Sequence, residues 1–285
     1  MSFKRIIWLV VMACLSLSLY TIVMSRSAVL DNDIIIGGEG TGVFAGVELV
    51  SNIDPNAQAV AVDDGLNWPD IDITQTQYSM VRGDMLLSSA YEPDLALKED
   101  GESIEPIYGT RYQAFERSAK PYLDKMLQDM EALGFTPYIA SSYRTYSYQN
   151  QLFNTKATGI YMEMGYKAQD WASEEYQEAV EKAKKYTAVA GASEHQLGLA
   201  VDIWDCQRQK LSAYTNMDED FRNWLEEHAC EYGFIQRYPS KKCLITGWDE
   251  PWHYRYVGEE VATFIRDNDI CYEEFYKHYS PNFEY

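Results

Sequence analysis

Apolar positions change period several times along this chain, and each change marks an element. Leu123, Met126, Met130 and Leu133 recur at three- and four-residue spacing, which gathers side chains on one helical face, and Gly134 supplies the stop. Phe135 to Ala140 is too short for a helix and reads as a strand. A second helix begins near Tyr146, and Ser173 caps a third that runs through Tyr186. At Leu199, Val201 and Ile203 the period falls to two, which turns Asp202 away from the three apolar side chains. Phe221, Trp224, Leu225 and Tyr232 stripe a further helix that ends at Gly233. Short strands are expected at Asp84–Leu87 and around Phe234, Leu244 and Tyr254, and a helix from about Gly258 to Asp267 closes the fold. Helices and short strands segregate, which predicts an α+β fold with a small antiparallel sheet flanked by helices. The domain is placed at 81–280, about 200 residues, enough for a single core.

The first 80 residues follow neither period. Lys4 and Arg5 precede a run from Ile6 to Met24 that holds no charge. Roughly 17 to 25 such residues span a bilayer, more than the about 7 to 15 of a cleavable signal peptide. Residues 1–27 are therefore expected to form an uncleaved signal anchor with its span at about 6–24. The basic flank would stay in the cytoplasm and the rest outside, a single-pass protein of the cell membrane with an extracytoplasmic domain. Cleavage would instead leave it secreted. Residues 28–80, rich in Asp, Asn, Gly and Pro, are expected to be a linker or stalk. The formal net charge of −20 disfavours nucleic acid as a partner. Of five cysteines, Cys14 falls in the span; Cys206, Cys230, Cys243 and Cys271 allow three disulfide pairings, and none forms a Cys-x-x-Cys metal pattern.

Two short segments carry the candidate chemistry: Ser193-Glu-His-Gln-Leu-Gly-Leu-Ala-Val-Asp202 and Asp249-Glu-Pro-Trp-His253. Of the four histidines, His228 and His278 read as ordinary packing or surface residues. His195 and His253 read differently. Gly198 and Ala200 let the backbone turn tightly into the strand that bears Asp202. A carboxylate in a buried strand needs a partner, and a metal ion or an arginine would serve. Two imidazoles and one carboxylate leave the fourth position of a tetrahedral Zn²⁺ open to water, the mark of a catalytic site. Glu250, three residues before His253, is then the candidate general base. The Asp249-Glu250 pair could suggest glycosidase chemistry, but neighbouring residues on a strand face opposite ways. Trp252, Tyr254 and Tyr256 read mainly as strand packing.

The pattern Ser-x-His-x-x-Gly-x-Ala-x-Asp followed by Glu-Pro-Trp-His-Tyr-Arg-Tyr-Val-Gly resembles the D-alanyl-D-alanine carboxypeptidases of the vancomycin-resistance type. These belong to the zinc peptidase group that includes lysostaphin-like enzymes and the hedgehog signalling domain. A third segment, Ser141 to Gln149 and then Leu152-Phe153, is similar to the family's Tyr-Arg-Ser…Gln…Leu-Phe signature, with Ser141-Ser142 where many relatives have Ser-Gly. The resemblance runs from about Tyr78 to about Phe275. It implies zinc ligands at His195, Asp202 and His253, with Glu250 as catalytic base. Arg144 would hold the substrate and stabilise the oxyanion, and Gln149 and Ser193 would contact the peptide near its C-terminus. The implied reaction removes the terminal D-alanine from peptidoglycan stem peptides or their precursors, within a sheet that carries the zinc site. An L,D-carboxypeptidase acting on tetrapeptide stems, or a non-catalytic zinc-containing wall-binding module, are the alternatives.

Overall fold

Period-two alternation in three strands gives the sheet two unlike faces, one apolar and one charged. The computed structural model describes residues 65–96, 114–167, 170–205 and 217–285. Strands β1 (Leu95–Ala96) and β2 (Phe115–Glu116) pair as a short ladder. Strands β3 (Pro137–Ser141), β4 (Ala200–Asp205), β5 (Phe234–Tyr238) and β6 (Glu250–Tyr256) form an antiparallel sheet in the order β3-β4-β6-β5. Ile139, Val201, Ile203, Phe234, Tyr254 and Tyr256 share one face and are buried together. Helix α1 (Lys120–Ala132) covers them with Leu123, Met126, Leu127 and Met130. The stripe read from sequence differs at its end, since Leu133 is exposed and Leu127 takes the buried place. Gly134, at φ +90°, turns the chain into β3.

Capping chemistry sets the next helices. The Thr145 side chain accepts from Tyr148 N to start α2 (Tyr146–Glu163), and Ser173 does the same from Tyr176 N for α3 (Glu174–Ala183). These two pack on each other through Phe153, Ala157, Tyr161, Tyr176 and Ala179. Asp218 caps α4 (Glu219–His228), whose Phe221 and Leu225 join the first core. The helical stripe then tightens into a 3₁₀ turn, Ala229–Tyr232, before Gly233 reverses it. Leu244 lies not in a strand but in the one-turn helix α5 (Cys243–Thr246), and it is 98% exposed. No alternation surrounds it, so nothing there pairs a strand. Helix α6 (Glu259–Asp267) is as expected, and α7 (Tyr272–Tyr279), not expected from sequence, follows it with Tyr272, Phe275, Tyr276 and Tyr279 at helical spacing.

The second core lies on the other side of the sheet. Ile235, Val257, Val261, Ile265, Tyr272, Phe275 and Tyr276 are buried there with Ile73, Tyr78 and Met80. Residues 68–80, expected as the end of a linker, thus belong to the folded body: Trp68 stacks on His278, and Tyr279 Oη donates to the Pro69 carbonyl. The hydroxyls, rings and backbone acceptors of this stretch, invisible to a composition argument, are what hold it. Asp84–Leu87 is a turn with one bridge, Arg82 to Met85, rather than a strand; Leu87 N donates to Gly191 O. The expected anchor at 1–27 and the linker from 28 to 64 lie outside the described residues, as do Cys14 and Cys206. Among the described residues no helix is long and apolar enough to cross a membrane. Cys230 and Cys271 are buried free thiols, and Cys243 is an exposed one.

Gly198 joins the 3₁₀ turn Glu194–Leu197 to β4 at φ +75°, and its carbonyl accepts from Glu116 N. A Cβ there would meet the movable tip of Leu95 at 2.9 Å, so the backbone conformation is the main cost. Gly198→Ala should destabilise the domain by about 1–2 kcal/mol, read as a lower urea midpoint with unchanged slope. An unchanged midpoint would mean that this turn relaxes freely.

Candidate active site

Asp202 and His253 sit directly opposite each other on β4 and β6, so their side chains leave the charged face of the sheet side by side. His195 comes from the 3₁₀ turn Glu194–Leu197 just ahead of β4. Asp202 Oδ1 lies 3.3 Å from His195 Nε2 and 3.1 Å from His253 Nδ1. One ligand atom from each residue can be chosen so that all lie within 4.8 Å of one another, and all three residues are buried. The remaining nitrogen of each ring has an acceptor: His195 Nδ1 donates to the Ser142 carbonyl at 2.8 Å, and His253 Nε2 to Glu194 Oε2 at 3.3 Å. Those outer partners direct the lone pairs of His195 Nε2 and His253 Nδ1 into one shared space beside a carboxylate oxygen. This two-nitrogen, one-oxygen set with anchored tautomers suits zinc.

Glu250 reaches the same place because the ladder slips. Gln236 pairs with Tyr254, but Tyr238 pairs with Glu250, so β6 carries two extra residues between those rungs. Pro251 lies within the slip, where it can donate nothing to a ladder, and Gln236 Nε2 donates to its carbonyl instead. A regular pleat would put Glu250 and His253 on opposite faces; here Glu250 Oε2 is 3.8 Å from His253 Nδ1. A second slip between Ile139 and Ser141 brings Ser141 opposite Asp202. Asp249 points elsewhere and accepts from Ser240 Oγ at 2.6 Å.

Arg144 supplies the arginine partner that sequence allowed for Asp202, so this carboxylate has both kinds of neighbour. Its Nη2 donates to Asp202 Oδ2 at 3.1 Å, Nε to Ser141 Oγ at 2.8 Å and Nη1 to Gln149 Oε1 at 3.2 Å. Gln149 is fully buried, and its amide donates to the Ala188 carbonyl at 2.7 Å. It braces the guanidinium. Ser193 is buried at the head of the His195 turn. His228, bonded to Glu231, and His278, stacked on Trp68, stay out of the site.

Burial and charge tune these groups in opposite directions. Burial pulls His195 down to about 4, and the nearby Arg144 charge adds to the effect. Burial also disfavours charge on His253, but its bonds to Asp202 and Glu194 outweigh that and raise it to about 9. Burial would lift the Asp202 carboxyl, yet His195 and His253 hold it well below the usual carboxylate range. Glu250 is raised, chiefly by burial. Sequence reasoning missed Glu194, Arg237 and Arg255, all buried beneath the ligands. The available signal was position, since Glu194 adjoins His195 and Arg255 follows His253 by two, on the same strand face.

Comparison with known proteins settles the family. Residues 113–259 match the family model VanY, D-alanyl-D-alanine carboxypeptidase. The chain belongs to this family. A D-alanyl-D-alanine carboxypeptidase of Enterococcus faecalis (strain ATCC 700802 / V583) is 34% identical over 239 residues, covering 84% of this chain and 75% of that protein. A glutamate-to-alanine mutant of the vancomycin resistance D,D-pentapeptidase VanY from a VanB-type cassette, in complex with Zn(II), superposes with TM-score 0.54 at 32% identity, over 71% of this chain and 99% of the other. The LD-carboxypeptidase LdcB superposes with TM-score 0.56 at 28% identity, over 74% and 94%. The antiparallel sheet flanked by helices is thus the VanY-like fold.

The His253 shift gives zinc uptake a definite pH dependence. Below about 9 the metal-free ring is protonated, and that proton must leave before Nδ1 can bind a cation. His195, already neutral above about 4, contributes no proton in this range. Zinc affinity should therefore rise by up to about tenfold per pH unit from pH 6.5 to 9 and then level off. Chelator competition across that range measures it, and a flat profile would contradict the assignment of His253.

Proposed function

We propose that in this zinc-dependent D-alanyl-D-alanine carboxypeptidase His195, Asp202 and His253 hold the ion, Glu250 is the general base, and Arg144 anchors the substrate. The observation that carries this is the convergence of the three ligand atoms within 4.8 Å, with Glu250 Oε2 3.8 Å from His253 Nδ1. Zinc bound there supplies a Lewis acid that polarises the scissile carbonyl and acidifies water. Glu250 takes a proton from the attacking water and passes it to the amine of the departing D-alanine as the C–N bond breaks. Its raised carboxyl holds that proton between the two transfers.

Arg144 has five N–H groups, and three are engaged by Ser141, Gln149 and Asp202. Among the described residues the other two meet no hydrogen-bond acceptor, and they point the arginine's remaining capacity to the peptide's terminal carboxylate or the developing oxyanion. Gln149 acts by fixing the guanidinium, and Ser193 contacts the peptide near its C-terminus. The substrate is a peptidoglycan stem peptide or precursor ending in D-alanine. The uncharged run Ile6–Met24 behind Lys4 and Arg5 tethers the enzyme to the membrane, with the catalytic domain on the extracytoplasmic side. Likeness to LdcB supports a second reading, L,D cleavage of tetrapeptide stems, since the same ligands and base serve both and the substrate cleft decides.

Glu250→Ala should keep wild-type zinc affinity and lose about 10²–10⁴ in kcat, whereas His253→Ala should lose zinc and activity together. Hydrolysis by Glu250→Ala at the wild-type rate would refute the role of the base. Defined stem peptides separate the two substrate readings. D-alanine should be released from the pentapeptide in preference to the tetrapeptide, and a chelator should abolish release. Release from the tetrapeptide alone would select the L,D reaction.

A further inference from the structure

Four charged side chains lie almost wholly buried beneath the metal ligands, and no step above uses them. Glu194, Arg237, Arg255 and Glu273 are each no more than 3% exposed at the side chain. Glu194 Oε1 accepts from Arg237 Nε at 2.8 Å and lies 3.0 Å from Arg255 Nη1. Arg237 donates in turn through Nη1 and Nη2 to both Glu273 oxygens on α7, at 2.9 and 2.7 Å. Arg255 Nη2 donates to the carbonyls of Gln77 and Ser79. The quartet carries two positive and two negative groups, so it is neutral as a set. Burying it still costs desolvation, and an apolar filling of similar shape would often be as stable. Stability alone therefore does not account for it.

The other oxygen of Glu194 does: Oε2 accepts from His253 Nε2. We infer that Glu194 is a positioning residue, locked by Arg237 and Arg255, that fixes the proton of His253 on Nε2 and so presents the Nδ1 lone pair to the metal. This rests on the proposed zinc site. Both arginines can only donate, so the oxygen facing them must be an acceptor. In Glu194→Gln the amide oxygen must take that place, and the amide NH₂ then points at His253. It would donate to Nε2 and drive the ring proton onto Nδ1, the nitrogen needed for the ion. Outer partners of metal-bound histidines are typically worth about 10- to 100-fold in metal affinity.

The test measures zinc dissociation constants by chelator competition for the wild type, Glu194→Gln, Glu194→Asp and His253→Ala. Thermal unfolding checks that each variant is folded. Glu194→Gln should bind zinc about 10- to 100-fold more weakly, and Glu194→Asp, which keeps the charge but draws back from the ring, should weaken it less. Long-range ¹H–¹⁵N correlation spectra of the zinc-loaded wild type should show His253 protonated at Nε2, and this needs no variant to fold. Equal zinc affinity in wild type and Glu194→Gln, or a proton on Nδ1 in the wild-type spectrum, overturns the inference. Wild-type affinity no better than that of His253→Ala would instead overturn the zinc site itself.

Discussion

One carboxylate, Asp202, organises this active site. Its Oδ1 faces both imidazoles and its Oδ2 faces Arg144, so the two histidines and the arginine meet on a single side chain. That arrangement needs Asp202 opposite His253 across the ladder, and it needs the strand's apolar residues on the far face. The alternation of Leu199, Val201 and Ile203 with Ala200 and Asp202 provides both. Packing of Val201 and Ile203 under α1 and α4 holds the strand at fixed height, which is why a hydrophobic pattern governs a charged site.

Much of this was legible in the residues themselves. One helix start followed from the Ser173 cap and others from apolar stripes, and the central strand followed from its period. His195, Asp202 and His253 stood out because they share short motifs with glycine and a buried-strand pattern, and the structure brings them together. Gln149 carried no signal of its own beyond the resemblance, and the first turn of α2 folds it inward against Arg144. Leu244 and Asp84–Leu87 misled because short apolar runs carry no period that separates strand from turn. Residues 68–80 were invisible for a different reason. Their burial depends on aromatic contacts across some 200 residues of sequence, such as Trp68 on His278.

The two sheet faces divide the labour. The apolar face is built from side chains that any compact α+β domain would use. The charged face packs two arginines and two carboxylates where a core would normally be aliphatic, and it joins the turn before β4, the last helix and the segment near Ser79. A change in α7 is thus mechanically connected to the imidazole of His253 through three consecutive polar contacts.

The slipped rungs between Gln236 and Tyr238 have a consequence for reading related sequences. On an unbroken pleat, two side chains can cooperate only when an even number of steps separates them. Glu250 and His253, three apart on one strand, can therefore meet only because the backbone between them is irregular. Such an odd interval, with proline inside it, is itself a marker of local distortion. It tells a reader where a ladder must break before any coordinates exist.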